Sequence, residues 1–416
     1  MKCSALAKRV AEFLRPRVKP KDLLLLGLSG GNDSLALFYL LIECQKMVPF
    51  ELQLAHVDYG WRPQEHEEAQ VLVQLAKKLG FQLHLHTLSR LPERDRENWA
   101  RQERLAFFTA LWHRRSYRAL LLAHHSDDQA ETVLKRIGEG AGLLGLGGLV
   151  SERTIGDLVV YRPLLMTRKK ELRAYLKRRQ LKPFSDPLNA DPMYLRARMR
   201  QMIFPHFERF FGKQVATQFT AFGQLWQEMQ AYLEKKSRPL KERIVRGPFG
   251  VYLRVDPSDD DLELKWIVLN YAASQGANLS RSACTQLIEL IRKKAPKAQI
   301  EAPPLRFVVN QHHLFILTRF FPSFFEKKEL WNKTESRLGW IHFWLGRVYY
   351  PKQYDQIVSL NQLVPRDRKR LKEWYRTAGV PLFLRDKAPI FIKKNVIVSE
   401  CLTQVAIERL KAQVRV

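Results

Sequence analysis

The chain has 416 residues, of which 46% are hydrophobic and 27% are charged. This length exceeds what one hydrophobic core usually spans, so we expect two or three domains, and the apolar content excludes an intrinsically disordered chain. Lysine and arginine number 70 against 42 acidic residues, which gives a formal net charge of +28. A surface with this excess attracts polyanions, so nucleic acid is the first class of partner to consider.

The four cysteines, Cys3, Cys44, Cys284 and Cys401, lie far apart and form no C-x-x-C pair. This spacing excludes a zinc ribbon or an iron–sulfur cage built on paired cysteines, and it gives no disulfide framework. Such cysteine usage is typical of a reducing cytoplasm. The apolar run at 23–28 is too short for a membrane span. We therefore expect a cytoplasmic protein without a membrane partner.

The first half of the sequence alternates short apolar runs with helical patterns, as parallel βαβ units do. The predicted strands are 22–28, 52–57, 81–87 and 119–123, and the predicted helices are 34–43, 65–79 and one that starts near Asp127. We predict a doubly wound α/β domain with a parallel sheet over residues 1–210.

The pattern changes beyond residue 210. Apolar residues recur at spacings of three and four from Val215 to Leu233, which predicts one long helix. The other predicted elements are helices at 262–273, 280–294 (with Ser280 as N-cap) and 367–377, and strands at 307–309, 314–317, 389–393 and 395–399. We predict a mainly helical middle domain at 211–330 and a small α+β domain at 331–416.

The strongest chemical signal is the turn between the first predicted strand and helix, Ser29-Gly30-Gly31-Asn32-Asp33-Ser34. Its two glycines allow the backbone to approach an anion, and the helix N-terminus supplies N–H donors. The carboxylate can hold Mg2+ against phosphate oxygens. A glycine-rich turn without a function would explain the glycines, but not two serines and an aspartate at the strand edge where α/β sheets bind ligands. We predict a phosphate-binding loop that differs from the P-loop pattern G-x-x-x-x-G-K-S/T.

Charged residues at helical spacing mark two further places. Arg101 and Arg104 are three residues apart and share one face of a predicted helix. Spacing alone fits a phosphate clamp and a solvated helix with Arg–Glu pairs equally well. Asp127, Asp128 and Glu131 lie in one turn after the fourth predicted strand, where they complement the helix N-terminus or bind a cation. Three acids in one turn exceed what capping of the helix requires, so the pattern favours a cation-binding site.

Histidines and glycines elsewhere carry weaker signals. His56 and Asp58 end the second predicted strand, where they either contact a nucleotide or serve as a core histidine and a turn aspartate. His84 and His86 alternate on a strand, and we predict no function for them. The segment 140–145 fits G-x-G-x-x-G, but it follows a helix instead of a strand, so we predict a loop and no dinucleotide site.

The loop 29–34 matches the S-G-G-x-D-S motif of the N-type ATP pyrophosphatases, or PP-loop superfamily. Within that superfamily the chain resembles the bacterial tRNA(Ile)-lysidine synthetases. The segments that carry this resemblance are 56–62 (H-V-D-H-G-L-R in the family), 100–104 (A-R-x-x-R), 123–132 (A-H-H-x-D-D-Q-A-E-T), 162–165, 186–189, 194–200 and, more loosely, 368–392. The sequence departs from the family at five positions: Tyr59 replaces His, Trp61 replaces Leu, Leu105 replaces Tyr, Glu139 replaces Arg and Ala197 replaces Asn.

The resemblance implies a ligase with ATP and Mg2+ that adenylates the C2 oxygen of the wobble cytidine in isoleucine tRNA with a CAU anticodon. The side-chain amine of free lysine then displaces AMP, which changes codon and amino-acid specificity from methionine to isoleucine. The implied ATP-binding residues are Ser29, Gly30, Gly31, Asn32, Asp33, Ser34, His56 and Asp58, with Asp33 on Mg2+. The implied catalytic residues are Asp33, Arg101, Arg104, His124, Asp128 and Glu131, of which Asp128 and Glu131 would bind lysine. Asp127 or His124 would position or deprotonate its amine.

Basic residues are concentrated in two segments. Residues 151–200 hold 13 basic and 5 acidic residues, and residues 351–416 hold 14 and 6. The predicted tRNA contacts are Arg196, Arg198, Arg200, Arg368, Lys369 and Arg370, together with the clusters 168–170 and 177–179, Arg366 and Lys372. We expect both domains beyond residue 210 to bind tRNA, and we also consider a homodimer.

Three other functions stay open. A tRNA-thiolating enzyme shares the loop motif but commonly needs paired cysteines, which this sequence lacks. A small-molecule ligase of the PP-loop class would not need a charge of +28. A non-catalytic relative would bind tRNA without any ATP turnover.

Overall fold

The structure, a computed structural model, describes residues 3–61, 63–88, 96–184, 192–212, 214–318, 331–334, 340–345, 347–394 and 396–403. The chain divides into two compact units, Met1–Gln230 and Ala231–Val416. The predicted division into three domains, with boundaries at 210 and 330, stays a prediction. Among the helices of the described ranges, none has both the length and the apolar composition that a membrane span needs.

A six-stranded sheet organises the first unit. Its strands are β1 (Leu23–Gly27), β2 (Glu51–Asp58), β3 (Leu83–Thr87), β4 (Tyr117–Leu121), β5 (Glu152–Ile155) and β6 (Leu158–Tyr161). Their order is β3-β2-β1-β4-β6-β5, and every neighbouring pair is parallel except β5 and β6. Chain connections leave β1 towards β2 on one side and return to β4 on the other, so the crevice between β1 and β4 is the place where α/β sheets bind ligands.

Helices cover both faces of this sheet. They are α1 (Ala5–Leu14), α2 (Asn32–Cys44), α3 (Pro63–Lys78), α4 (Arg96–Arg114), α5 (Ser126–Gly138) and α6 (Lys169–Arg178). Leu24 and Leu26 belong to the core cluster that includes α1, α2 and α6, whereas Leu25 belongs to a second cluster with Phe108 of α4. Because side chains of a strand alternate between faces, both faces of β1 must be covered, which explains its uninterrupted leucine run.

The first unit continues with α7 (Leu195–Arg198), a π-helical turn (Met199–Ile203), α8 (Phe204–Phe211) and α9 (Val215–Lys236). The last residues of α9 lie beyond Gln230, where the first unit ends. Side chains of α5 and α9 form hydrogen bonds to the glycine-rich loop 140–148 that follows α5. Gln129 of α5 donates to the Gly147 carbonyl at 2.9 Å, and Gln227 of α9 donates to the same carbonyl at 2.6 Å. Trp226 of α9 donates to the Leu143 carbonyl at 3.0 Å.

The second unit contains a five-stranded antiparallel sheet. Its elements are α10 (Arg238–Glu242), β7 (Val245–Gly247), β8 (Gly250–Arg254), α11 (Asp261–Ser274), α12 (Arg281–Arg292), β9 (Ala298–Ala302), β10 (Leu305–Asn310) and β11 (His313–Leu317). The strand order is β7-β8-β11-β10-β9. One core cluster joins Leu264 of α11, Leu287 of α12 and Phe307 of β10, so both helices pack on the sheet.

The last elements of the second unit surround another apolar core. They are β12 (Asn332–Thr334), α13 (Trp340–Trp344), β13 (Arg347–Tyr349), β14 (Gln356–Val358), α14 (Pro365–Thr377), β15 (Ile390–Lys393) and β16 (Val396–Glu400). Strands β14, β15 and β16 form an antiparallel sheet. Leu371 and Tyr375 of α14 are buried in the same cluster as Phe391 of β15.

The α/β fold predicted for the first half is confirmed, with a helical region and antiparallel sheets after it. The helix at 215–233 and the N-cap at Ser280, whose hydroxyl accepts from the Ala283 N–H, are confirmed as well. The region 211–330 contains more strand than the sequence pattern indicates: β10 and β11 were predicted, but β7, β8 and β9 were not. These three strands have three to five residues each, too few for a clear alternating pattern.

Candidate active site

The turn between β1 and α2 forms the floor of the site. Gly30 has φ +79°, and a Cβ atom there would lie 2.4 Å from the Phe184 ring, so both the backbone and the packing require glycine. The Ser29 and Ser34 hydroxyls lie 2.9 Å apart, and Ser34 Oγ also accepts from the Ser29 N–H. The N-cap Gly31 has no side chain to accept from the first turn of α2. That turn can therefore donate its N–H groups to an anion.

Asp33 lies in this first turn of α2. Its Oδ2 atom is 3.4 Å from His125 Nε2 and 3.9 Å from Lys169 Nζ, while its buried Oδ1 atom has no hydrogen-bond partner among the described residues. Burial acts to raise the pKa of Asp33, but the close contact with His125 and the charges of His125, Lys169 and Arg200 outweigh burial and lower it. The carboxylate is therefore ionised at neutral pH.

The unpartnered Oδ1 atom of Asp33 fits a cation ligand. The described residues gather no group of three histidine, cysteine or acidic side chains around one point, so the protein alone offers few ligands. Mg2+ commonly binds through one or two carboxylates and completes its coordination with phosphate oxygens and water. Asp33 thus fits Mg2+ that arrives with a nucleotide.

His125 connects the loop to the start of α5. It is fully buried and serves as the N-cap of α5. In the neutral ring Nδ1 accepts from the backbone N–H of Asp128 at 3.3 Å, and the backbone N–H of His125 donates to Asp128 Oδ2 at 3.0 Å. Because Nδ1 accepts, the proton of the neutral ring lies on Nε2, which faces Asp33. Burial acts to lower the pKa of His125, but the two carboxylates outweigh it and raise the pKa. Sequence reasoning passed over this histidine, although its place directly before a helix signals a cap.

The two carboxylates predicted to bind lysine come together on α5. Asp128 is 8% exposed and Glu131 is 2% exposed. Arg200 contacts both carboxylates. Its Nε donates to Glu131 Oε1 and its Nη2 donates to Glu131 Oε2 at 3.0 Å. The same Nη2 lies 3.4 Å from Asp128 Oδ1. Burial raises the pKa of Glu131, and Arg200 opposes this only in part. Arg200 was predicted as a tRNA contact, but its guanidinium points into the site.

Neither candidate for the lysine base is well suited to that role. Arg162 Nε donates to His124 Nδ1 at 3.2 Å, and burial lowers the pKa of His124 to about 4. A group with that pKa is a weak base for an ammonium with a pKa of about 10.4. Asp127 Oδ2 accepts from the Lys169 N–H at 2.8 Å and so holds the start of α6.

His56 and Asp58, near the end of β2, line the main cavity of the site, which also contains Asp33 and Asp128. Both residues also form local contacts that stabilise the fold. His56 Nδ1 lies 2.7 Å from the Leu28 carbonyl, and burial lowers the pKa of His56. Asp58 Oδ1 accepts from the Gly60 N–H at 3.1 Å, and Oδ2 lies 3.2 Å from His66 Nδ1. His56 thus has the contacts of a core histidine and Asp58 those of a turn aspartate, and both residues also line the cavity.

The predicted arginines of α4 differ from each other. Arg104 borders a smaller cavity of about 240 Å3 together with His124, and it forms a hydrogen bond with Tyr59. Both arginines are exposed, but Arg101 borders neither that cavity nor the larger one. Tyr59 stacks on Trp61 with ring centroids 5.0 Å apart, and within the described part of the chain the buried Trp61 Nε1 has no hydrogen-bond partner. The sequence did not mark this aromatic pair as functional.

The main cavity has a volume of about 680 Å3 and is strongly charged. Its cationic lining residues are Lys169, Arg173, Arg196 and Arg200. Lys169 and Arg173 are four residues apart on α6 and both line this cavity; Lys169 also belongs to the cluster 168–170, whose contact with tRNA stays a prediction. Four cations around an anion-binding turn can neutralise a polyphosphate, and Asp33 and Asp128 border the same space.

The other predicted tRNA residues lie outside this cavity. Arg198 on α7 and Lys369 and Arg370 on α14 are exposed. Arg368 is half-buried and donates to the Leu363 carbonyl at 2.9 Å, which fixes the start of α14. A tRNA role for each of these residues stays a prediction.

Comparison with known proteins adds three findings. Residues 3–207 match the family model of a PP-loop domain. A tRNA(Ile)-lysidine synthase of Protochlamydia amoebophila (strain UWE25) is 33% identical over 427 residues, which cover 95% of this chain and 92% of that protein. A tRNA(Ile)-lysidine synthase of Chlamydia pneumoniae is 41% identical over 217 residues, 52% of this chain and 67% of that protein.

A weaker likeness exists among solved structures. The U34-tRNA thiolase NcsA of Methanococcus maripaludis is 20% identical with a TM-score of 0.46, over 53% of this chain and 78% of that one. A similarity of this size carries no argument about function.

Proposed function

The chain belongs to the tRNA(Ile)-lysidine synthase family of PP-loop proteins, and from that membership we propose that it ligates lysine to the wobble cytidine of a CAU-anticodon isoleucine tRNA. It is a ligase that forms a carbon–nitrogen bond. The observation that carries the proposal is the pairing of a phosphate-binding turn with two buried carboxylates, joined by one imidazole.

The first step is adenylation of the RNA base. The C2 oxygen of the cytidine attacks the α-phosphorus of ATP, the bond to the β-phosphate oxygen breaks, and pyrophosphate leaves. The N-terminus of α2 would hold the polyphosphate, and Lys169 and Arg173 would neutralise the charge that develops on it. Bound through Asp33, Mg2+ would supply further charge neutralisation at the leaving pyrophosphate.

In the second step the lysine side-chain amine attacks C2 and AMP leaves with the C2 oxygen. Asp128 and Glu131 would hold the lysine, because buried carboxylates need a cationic partner. The attacking amine must first lose its proton, since an ammonium has no free electron pair with which to attack C2. The leaving AMP phosphate would be received by the α2 N-terminus and Lys169, which line the same cavity.

The alternative of tRNA thiolation has less support. Cys44, Cys284 and Cys401 are buried, and burial raises the pKa of Cys44 to about 12, which keeps that thiol protonated. The retained loop and Asp33 favour catalysis over a non-catalytic tRNA-binding relative. The proposal further includes free L-lysine as substrate, tRNA contacts through the basic residues of α7 and α14, a cytoplasmic location and the homodimer as an assembly to be tested.

A labelling experiment tests the function. Protein, ATP, Mg2+ and radiolabelled lysine are incubated with an isoleucine tRNA transcript that carries CAU, and with a methionine tRNA of the same triplet as matched control. We expect label in the isoleucine tRNA alone, with one AMP and one pyrophosphate released per lysine. Transfer of sulfur, or binding of tRNA without any lysine incorporation, would contradict the proposal.

A further inference from the structure

We propose that Arg200 occupies the ammonium position of the lysine site and that a bound nucleoside triphosphate moves the guanidinium from there to its phosphate oxygens. Nucleotide and lysine then bind with positive coupling. This inference rests on the proposed function. It makes Arg200 a positioning residue that decides when lysine gains access to its carboxylates.

The first step of the argument concerns the occupant. Both oxygens of Glu131 and one oxygen of Asp128 contact the Arg200 guanidinium. Glu131 is 2% exposed, so little of its surface is left for another cation. A lysine ammonium placed beside the guanidinium would meet a like charge at close range. Lysine and Arg200 therefore compete for the same two carboxylates.

The second step concerns the alternative partner of Arg200. Its side chain is 28% exposed and borders the cavity that also contains Asp33 and Lys169. Guanidinium groups bind phosphate oxygens in a bidentate manner, as they bind carboxylates. A triphosphate held at the α2 N-terminus would thus offer Arg200 a second anion within the same cavity.

The third step concerns the segment that carries Arg200. The residue lies in the π-helical turn Met199–Ile203, between two short α-helices of four and eight residues. Turns of this kind are rare and occur frequently at functional sites, because their hydrogen-bond pattern differs from that of the flanking helix. A change of side-chain direction here does not require a long regular helix to move.

The coupling follows from charge balance. When Arg200 turns to phosphate, Asp128 and Glu131 remain buried without their cation, and the negative charge of Asp128 raises the pKa of Glu131. Buried carboxylates in this state favour the entry of a new cation. The triphosphate thereby prepares the site for the amine that reacts in the second step.

Calorimetric titration of lysine tests the inference without tRNA, so that no turnover occurs. The whole protein is titrated with and without α,β-methylene-ATP and Mg2+, an analogue whose α–β linkage cannot be cleaved. For the wild type we expect lysine affinity to rise about tenfold or more when the analogue is present, which corresponds to about 1.4 kcal/mol of coupling. The reciprocal titration should show the same factor for the analogue when lysine is present.

Variants assign the coupling to one side chain. Arg200→Met should bind lysine without the analogue about as tightly as the wild type does with it, and the coupling should fall below about twofold. Arg200→Lys keeps the charge but loses the bidentate contact, so its coupling should be intermediate. Lys135→Met removes an exposed cation one turn further along α5 and should keep the wild-type coupling.

Two results would overturn the inference. One is equal lysine affinity of the wild type with and without the analogue, which needs no variant and is independent of any folding defect. The other is weaker lysine binding of Arg200→Met in both states, since Arg200 would then shape the carboxylates instead of blocking them. If the wild type still incorporates lysine into tRNA, the proposed function survives either result. A wild type that incorporates no lysine would contradict the function itself.

Discussion

His125 Nε2 lies 3.4 Å from Asp33 Oδ2, and the same imidazole caps the helix that carries Asp128. One buried ring thus connects the phosphate-binding turn with the carboxylates proposed for lysine. The two half-sites come from different βα units of the sheet, at the ends of the neighbouring strands β1 and β4. Their relative position therefore depends on this contact as well as on the sheet.

Replacing Asp33 should separate chemistry from tRNA binding. Asp33→Asn keeps the shape but removes the charge, so pyrophosphate release in the presence of tRNA should fall by about a hundredfold or more. Asp157→Asn, in the exposed turn between β5 and β6, serves as control. Retention of tRNA on filters should stay near the wild-type value for both variants. Adenylate formation by Asp33→Asn at the wild-type rate would refute the role of the loop.

Two substitutions of His125 should separate capping from positioning. His125→Ala removes the cap acceptor of α5 and should lower the free energy of unfolding by about 1–2 kcal/mol. His125→Asn retains an acceptor and should lose less stability, yet it cannot reach Asp33 in the same way, so kcat should fall about tenfold or more. Thermal unfolding and single-turnover kinetics measure the two effects. Proportional losses of stability and kcat in both variants would argue for a purely structural residue.

The Gly30 position should not accept a side chain. In Gly30→Ala the methyl group would meet the Phe184 ring, and the left-handed φ would cost roughly 1–2 kcal/mol more. We expect weaker ATP binding together with a lower melting temperature. The double variant Gly30→Ala with Phe184→Ala removes the steric contact but not the backbone strain, so it should recover only part of the affinity. Full recovery would show that φ at this position is unimportant.

The Asp33–His125 pair should give stability a defined pH dependence. The pKa of Asp33 is lowered from 3.8, so its contribution is present above 3.8 and is lost as pH falls through the lowered pKa. The pKa of His125 is raised from 6.5, so its contribution is complete below 6.5 and is lost as pH rises through the raised pKa. Denaturant unfolding between about pH 5 and 9 should show this alkaline loss in the wild type but not in His125→Asn. Parallel curves would contradict the pairing.

Basic residues of α14 should contribute to tRNA affinity through phosphate contacts. Replacing Arg366, Lys369 and Arg370 by alanine should weaken tRNA binding and make the logarithmic salt dependence shallower by about 2–3. A control with the exposed Lys77→Ala and Lys78→Ala at the end of α3 should leave the slope unchanged. A salt response equal to that of the wild type would exclude α14 from the interface.

The sequence predicted those parts of the site that depend on local order. The phosphate-binding turn follows from a strand, two glycines and a helix start, and the Asp128–Glu131 pair follows from helical spacing. The placement of Lys169 and Arg200 could not be predicted in this way, because their distance from α2 and α5 depends on how remote segments pack. A basic residue has the same local pattern whether it faces solvent or a buried carboxylate. His125 and Asp127 are two residues apart, yet His125 contacts Asp33 and caps α5, whereas Asp127 holds the start of α6.

The hydrogen bonds that hold the glycine-rich loop have a consequence for the acids of α5. Gln129, whose amide grips Gly147, lies between Asp128 and Glu131 in sequence. We expect a change of loop length to disturb this hydrogen bond and so to weaken the support of the helical turn that carries both acids. A loop that does not line the cavity thereby contributes to the position of Asp128, which does.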